Sequence, residues 1–206
     1  MSTLTSTDAD VFDENGRPIS GSGENHSGQV RMAYRLAHSH VDRLLYVHGI
    51  GWHWWDGHRW AEDTRGYAER AVLDVLRTAL GESVTDKQLR VDVQRCETAA
   101  GIAGVLTIAS SMVEFAATVE DMDRDPALLN TRAGVFDLNT GHLREADPSD
   151  RLSKVCGAAY RPDADLSVWE DFVTEILPDA EERAYLQRVV GQALYGRVTE
   201  HVFPVL

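Results

Sequence analysis

With 206 residues, 43% of them apolar, the chain is long enough for one good-sized domain or two small ones and can build a core without staples. Its two cysteines, Cys96 and Cys156, exclude a disulfide framework and a four-cysteine zinc site, and they point to a reduced cytoplasmic setting. A net charge of −13 excludes a surface that grips nucleic acid all over, because that affinity comes from Lys and Arg releasing counterions.

Residues 1–27 are rich in Ser, Thr, Asp, Gly and Asn, with too few large apolar groups to offset the entropy of ordering, so a disordered acidic tail is expected. They lack the basic flank and apolar stretch of a signal peptide, and no run approaches membrane-spanning length, so no membrane partner is expected. From Gln29 the positions Val30, Ala33, Tyr34, Ala37 and Val41 have helical spacing, and a short strand, Leu44-Leu45-Tyr46-Val47, follows.

The stretch GWHWWDGHRW then places four of the five tryptophans within ten residues. Asp56-Gly57 is a strong hairpin signal, because both central positions of a type I′ turn need positive φ. Centred there, the hairpin pairs Trp55 with His58, Trp54 with Arg59 and His53 with Trp60. His53, Trp55, His58 and Trp60 then share one face, and Trp52, Trp54 and Arg59 share the other.

Residues 65–80 predict an amphipathic helix with Ala68, Ala71, Val72, Val75, Leu76 and Ala79 inward and Gly81 as its stop. Thr85 is expected to cap a helix over 87–96, and a third helical segment spans about 102–112, its helical signal weakened by Gly101 and Gly104. An acidic loop, 120–126, leads to a small meander in which 135–137 and 142–144 bracket a turn, with a strand-like piece at 152–155. Two helices close the chain, 168–177 and 180 to about 195, with Asp179 as N-cap of the second. The fold class is α+β, mostly helical with small antiparallel hairpins and a meander. The organisation is a tail over 1–27, an α+β domain over 28–165 and a helical segment over 166–206.

Few motifs carry chemistry. Asp121, Asp123 and Asp125 have the spacing that opens a calcium loop, but its sixth and twelfth positions would be Pro126 and Arg132 instead of Gly and Glu. Asp137, Asn139 and Gly141 are what a tight turn prefers. His38 and His40, two apart on a helix, point to different sides, and His53 with His58 makes half a metal site at most. Nucleophile elbow, zinc helix, dinucleotide turn and phosphate loop signatures are all missing from these 206 residues, so neither catalytic residues nor metal ligands are assigned.

Charge is uneven: residues 114–182 carry 17 acids against 6 Lys or Arg, whereas 31–70 carry 5 acids against 6 Arg. A DNA contact is therefore expected in the earlier part. Trp52, Trp54 and Arg59 offer rings and a cation, and Arg31, Arg35 and Arg43 extend the track. Each aromatic–base stack is worth roughly 1–3 kcal/mol, and binding to single-stranded DNA would be weak and salt-sensitive. The competing explanation is that the rings are core, which is favoured for Trp55 and Trp60.

From residue 129 onward an ordered series of pieces appears: Leu129-Asn130, Gly134-Val135-Phe136-Asp137-Leu138 with Thr140-Gly141, Asp150 with Lys154, Tyr160-Arg161-Pro162, Trp169 with Phe172, and Tyr185-Leu186-Gln187-Arg188 with Gly191 and Glu200. Together with the Trp55 to Trp60 hairpin upstream, this series resembles the linking domain of phage and plasmid primase-helicases, the family related to the poxvirus primase-helicase. The resemblance covers about 29–206. It implies a middle position between a primase domain and a superfamily III ATPase, whose phosphate loop would begin just past the counterpart of 202–206.

ATP and magnesium are accordingly expected only for that motor, with no cofactor in this chain. The resemblance also implies the chain's own helicase domain as a partner and a homo-oligomer contacting through the two terminal helices, in the cytoplasm of a bacterial host. The function it implies is a non-catalytic module that positions DNA and subunits for the motor. The alternative is a freestanding adaptor, a truncated helicase relic that binds another replication protein. A metal-dependent nuclease or primase using Asp121, Asp123 and the histidines ranks last.

Overall fold

The computed structural model describes residues 25–198 and, upstream, a strand pair, β1 (Val11–Phe12) with β2 (Pro18–Ile19). The expectation of a disordered tail falls largely outside these residues, and the terminal segment 201–206 wholly so. The chain divides into two units. The first runs to residue 55 and resumes over 61–119; the second takes 56–60 and continues from 120.

In the first unit α1 (Gly28–His40), α2 (Tyr67–Glu82), α3 (Lys87–Cys96) and α4 (Ala99–Ala109) enclose a core of aliphatic side chains around Phe115. The buried residues of α2 are the six that its spacing predicts. On α1 the buried line is Met32, Ala33, Leu36 and Ala37, joined by Arg31, and the predicted Val30 stays exposed. The helix is turned so that Arg31 reaches acids at α3.

Three of the helix boundaries that differ from expectation have a local cause. Helix α2 runs through Gly81 to Glu82 and closes at Ser83, whose Oγ donates to the Leu80 carbonyl. The α3 cap is Asp86 instead of Thr85; its carboxylate accepts from the amides of Gln88 and Leu89 at 2.9 and 3.0 Å. Helix α4 starts three residues early because Thr98 caps it, accepting from Gly101 N. A Cβ at Gly101 would lie 2.6 Å from Cys96 Cα, so only glycine lets α4 begin this close to the end of α3.

Strands β3 (Leu44–Val47), β4 (Gly51–Trp55), β5 (Trp60–Glu62) and β6 (Ala116–Ala117) form a sheet in the order β5-β4-β3-β6. Strand β6 lies parallel to β3, a pairing outside the expected antiparallel set, and its two residues are too few for a periodic signal. The hairpin turn also differs. Asp56 N donates to Arg59 O and Asp63 N to Trp52 O, which centres the turn on Gly57-His58. Only Gly57 of that pair has positive φ (+96°), the II′ pattern instead of I′. Asp56 precedes the turn and accepts from the amides of His58 and Arg59. Because the pairing moves by two residues, the predicted faces survive.

Asp63 anchors the entry to α2, accepting from the amides of Arg65, Tyr67 and Ala68 at 3.1, 2.9 and 2.8 Å. Burial alone would raise its pKa, but the amides of Ala68, Tyr67, Arg65 and Gly66 outweigh it and hold the carboxyl below the usual value. A folded-state pKa below the unfolded one gives a stabilisation that is full above the ordinary carboxylate range and is lost as pH falls through the folded value. Asp63→Ala should therefore cost about 1–2 kcal/mol at neutral pH, as loss of a cap does. The gap in melting temperature between variant and wild type should narrow as the solution is taken to about pH 3 or below. Thermal melts at both pH values check this, and a gap that stays constant would refute it.

The second unit holds an antiparallel meander, β7 (Leu128–Thr131), β8 (Gly134–Asp137) and β9 (His142–Arg144), then α5 (Ser167–Ile176) and α6 (Ala180–Gln192), the latter capped by Asp179 as predicted. The expected strand at 152–155 does not form. Leu152 O accepts from Trp60 N and Lys154 O from Asn130 Nδ2, so these carbonyls bond to the first residue of β5 and to a side chain instead of a ladder. Six helices with small sheets make the chain α+β, and among the described residues no helix is long and apolar enough to cross a membrane.

Candidate functional site

Of the six residues expected to contact DNA, Arg31, Arg35, Arg43, Trp52 and Trp54 lie in the first unit and Arg59 in the second. Arg31, 5% exposed, turns inward from the first turn of α1. Its Nη1 lies 3.4 Å from Asp92 Oδ2 and its Nη2 3.3 Å from Asp86 Oδ2. Asp92 is wholly buried and also accepts from Gln88 Nε2 at 3.1 Å. This cluster ties α1 to α3. One turn on, Arg35 Nη1 meets Glu82 Oε2 at 2.6 Å and ties α1 to the end of α2. Arg43 is exposed in the turn between α1 and β3.

Trp52 is half-buried and meets Tyr46 and Phe115 edge-on, with ring centroids 5.2 and 5.6 Å away. Trp54 stacks on Tyr67 at 3.9 Å, nearly parallel, and the Arg70 guanidinium lies 4.3 Å from the centroid of Tyr67. Both indoles pack on the helical core. In the second unit Arg59 donates from Nη1 to Ser153 O at 3.2 Å and pairs with Asp56. Trp60 is buried there, its Nε1 donating to Pro148 O at 2.8 Å. Trp52, Trp54 and Trp60 are thus used for packing.

The acids and histidines are likewise taken up locally. Asp121 pairs with Arg151 at 3.3 Å, Asp123 accepts from the amide and hydroxyl of Ser153, and Asp125 accepts from Ala127 N. The amide of Asn139 is the foremost of the contacts that hold Asp137 below the usual carboxylate range. His53 is buried with Nδ1 against Gly51 O. His38 and His40 line a cleft of about 320 Å³ with Arg35, Asp74 and Glu82. Burial, then Arg43, lowers the pKa of His40 against the pull of Asp74. Ser39 Oγ lies 2.8 Å from both His40 Nδ1 and Arg35 O, and a carbonyl can only accept, so its proton is directed at the backbone. No group of three or more metal-binding side chains gathers among the described residues.

Sequence reasoning passed over the outward side of α3. Lys87, Arg90, Val91, Gln94 and Arg95 are exposed there, while Leu89, Asp92, Val93 and Cys96 are buried. The spacing is visible in the sequence, but a net charge of −13 summed over the chain conceals this local basic stripe.

These features define an α+β module in which the carboxylates held below their usual range, Asp63, Asp86, Asp137 and Asp165, accept backbone amides at helix starts and turns. The family model described as D5 N terminal like matches residues 33–178, and the chain belongs to that family, the N-terminal region of phage and poxvirus primase-helicase proteins. This makes it a replication module related to primase-helicases. Comparison with curated proteins returns no match.

Proposed function

We propose that this chain is a non-catalytic module that positions DNA and neighbouring subunits for the ATP-driven motor of a primase-helicase. The observation that carries the reading is the partition of charge between the units. In the described part of the first, nine Lys and Arg stand against ten Asp and Glu; in the second, ten stand against seventeen. The first unit can meet a polyanion through local cations, whereas the second repels one.

The second unit offers instead an apolar surface on α5, where Val168, Trp169, Phe172 and Ile176 are all at least half exposed. A patch of this kind marks a protein contact, which suits docking against the chain's own motor domain or a neighbouring copy.

ATP turnover and oligonucleotide binding measured on one preparation test the proposal. Hydrolysis no faster than in a heat-inactivated control, together with weak binding that disappears with added salt, is the expected result. Sustained hydrolysis would assign catalysis to this chain and overturn it.

A further inference from the structure

Packing alone does not account for the outer side of α3. Lys87, Arg90, Val91, Gln94 and Arg95 recur at i, i+3, i+4, i+7 and i+8, which makes one continuous stripe along the helix. All five are exposed, and no other charged residue of α3 joins them, because Asp92 points inward to Arg31. Five arginines on other elements, Arg31, Arg35, Arg77, Arg144 and Arg151, each have a carboxylate within 3.4 Å. Lys87, Arg90 and Arg95 have no ion pair among the described residues, in a chain with 33 acids for 20 Lys and Arg. The helix that carries them is held firmly by the Asp86 cap, the buried Arg31–Asp92 contact and the close approach at Gly101.

We infer that the outward stripe of α3 is a contact for duplex DNA, laid into the major groove. A helix of ten residues is about 15 Å long and about 10–12 Å across with its side chains, and the major groove of B-DNA is about 12 Å wide. Arginine and lysine meet phosphates or guanine edges, Gln94 can bond an adenine edge with two hydrogen bonds, and Val91 can lie against a thymine methyl. The stripe has no aromatic ring, so it lacks the stacking platform that holds single strands. The deep, narrow major groove of duplex RNA does not admit side chains in this way. The inference rests on the reading of a DNA-positioning module and names the surface and the form of DNA it meets.

The test is fluorescence anisotropy of a labelled duplex of about one and a half to two helical turns, titrated with the full chain at low salt. The single strand and the matching RNA duplex serve as competitors. The double variant Arg90→Glu, Arg95→Glu should weaken duplex binding by about tenfold or more and reduce the salt slope by about 2, close to one unit for each phosphate that is no longer neutralised. Arg90→Gln, Arg95→Gln should lie between it and wild type, and Arg188→Glu on α6 should change affinity less than about twofold. Melting temperatures should not move, since all these side chains are exposed.

Unchanged duplex binding in the double variant would overturn the assignment to α3 while leaving the module reading intact, and absence of binding to any oligonucleotide would overturn both. Tighter binding of single strand or of RNA duplex than of DNA duplex would also overturn it. So would charge reversal that abolishes self-association and spares DNA binding, because the stripe would then belong to a contact with acidic protein.

Discussion

Asp92→Ala is expected to destabilise the first unit by about 3 kcal/mol or more, because it removes the wholly buried carboxylate that meets the enclosed Arg31 guanidinium. The loss belongs to the breaking of the pair and not to the worth of the pair itself, since two charges taken out of water recover little more than their desolvation cost. Replacing both ends by apolar residues, Arg31→Met with Asp92→Leu, should therefore restore most of the stability lost in the single variant. Urea unfolding of wild type, single and double variants measures this directly. A single variant within about 1 kcal/mol of wild type would show that the pair does not hold α1 to α3.

The second large effect is expected at Trp54. Its indole covers one face of Tyr67 and packs on the helical core, and Trp54→Ala should cost about 3 kcal/mol of stability through the cavity and the lost ring stack. Oligonucleotide affinity, measured under conditions where the variant remains folded, should stay within about twofold of wild type, far less than the roughly 1–3 kcal/mol that loss of a base-stacking ring would remove. The opposite pattern, an unchanged melting transition with DNA affinity lost, would make Trp54 a stacking surface for single strands and its packing incidental.

How far the sequence discloses this molecule depends on the kind of interaction involved. Helix α2 is legible because one face is apolar throughout, so spacing alone selects the six side chains that become buried. The hairpin is legible from Asp56-Gly57, but its register is not. Asp56 uses its side chain to accept two amides ahead of the turn, which leaves Gly57 as the first central residue. Strand β6 and the unpaired run at 152–155 depend on partners distant in sequence, which no local pattern reports.

The arginines of α1 are misleading in sequence for a related reason. A helical wheel treats every charge as outward, and only the three-dimensional placement of Asp92 and Glu82 shows that Arg31 and Arg35 serve helix junctions. The basic stripe of α3 is written in the spacing, and a net charge summed over the chain conceals it, because the acidic surplus of the described residues is concentrated in the second unit.

The central claim, a module that meets DNA without catalysing a reaction on it, is tested most directly by the salt dependence of oligonucleotide affinity with ATP present. With three unpaired cations on α3 as the contact, the logarithm of affinity should fall with the logarithm of salt at a slope of roughly −3, while the ATP remains unconsumed. An affinity too weak to detect even at the lowest salt, or ATP that disappears while the protein is present, would contradict it.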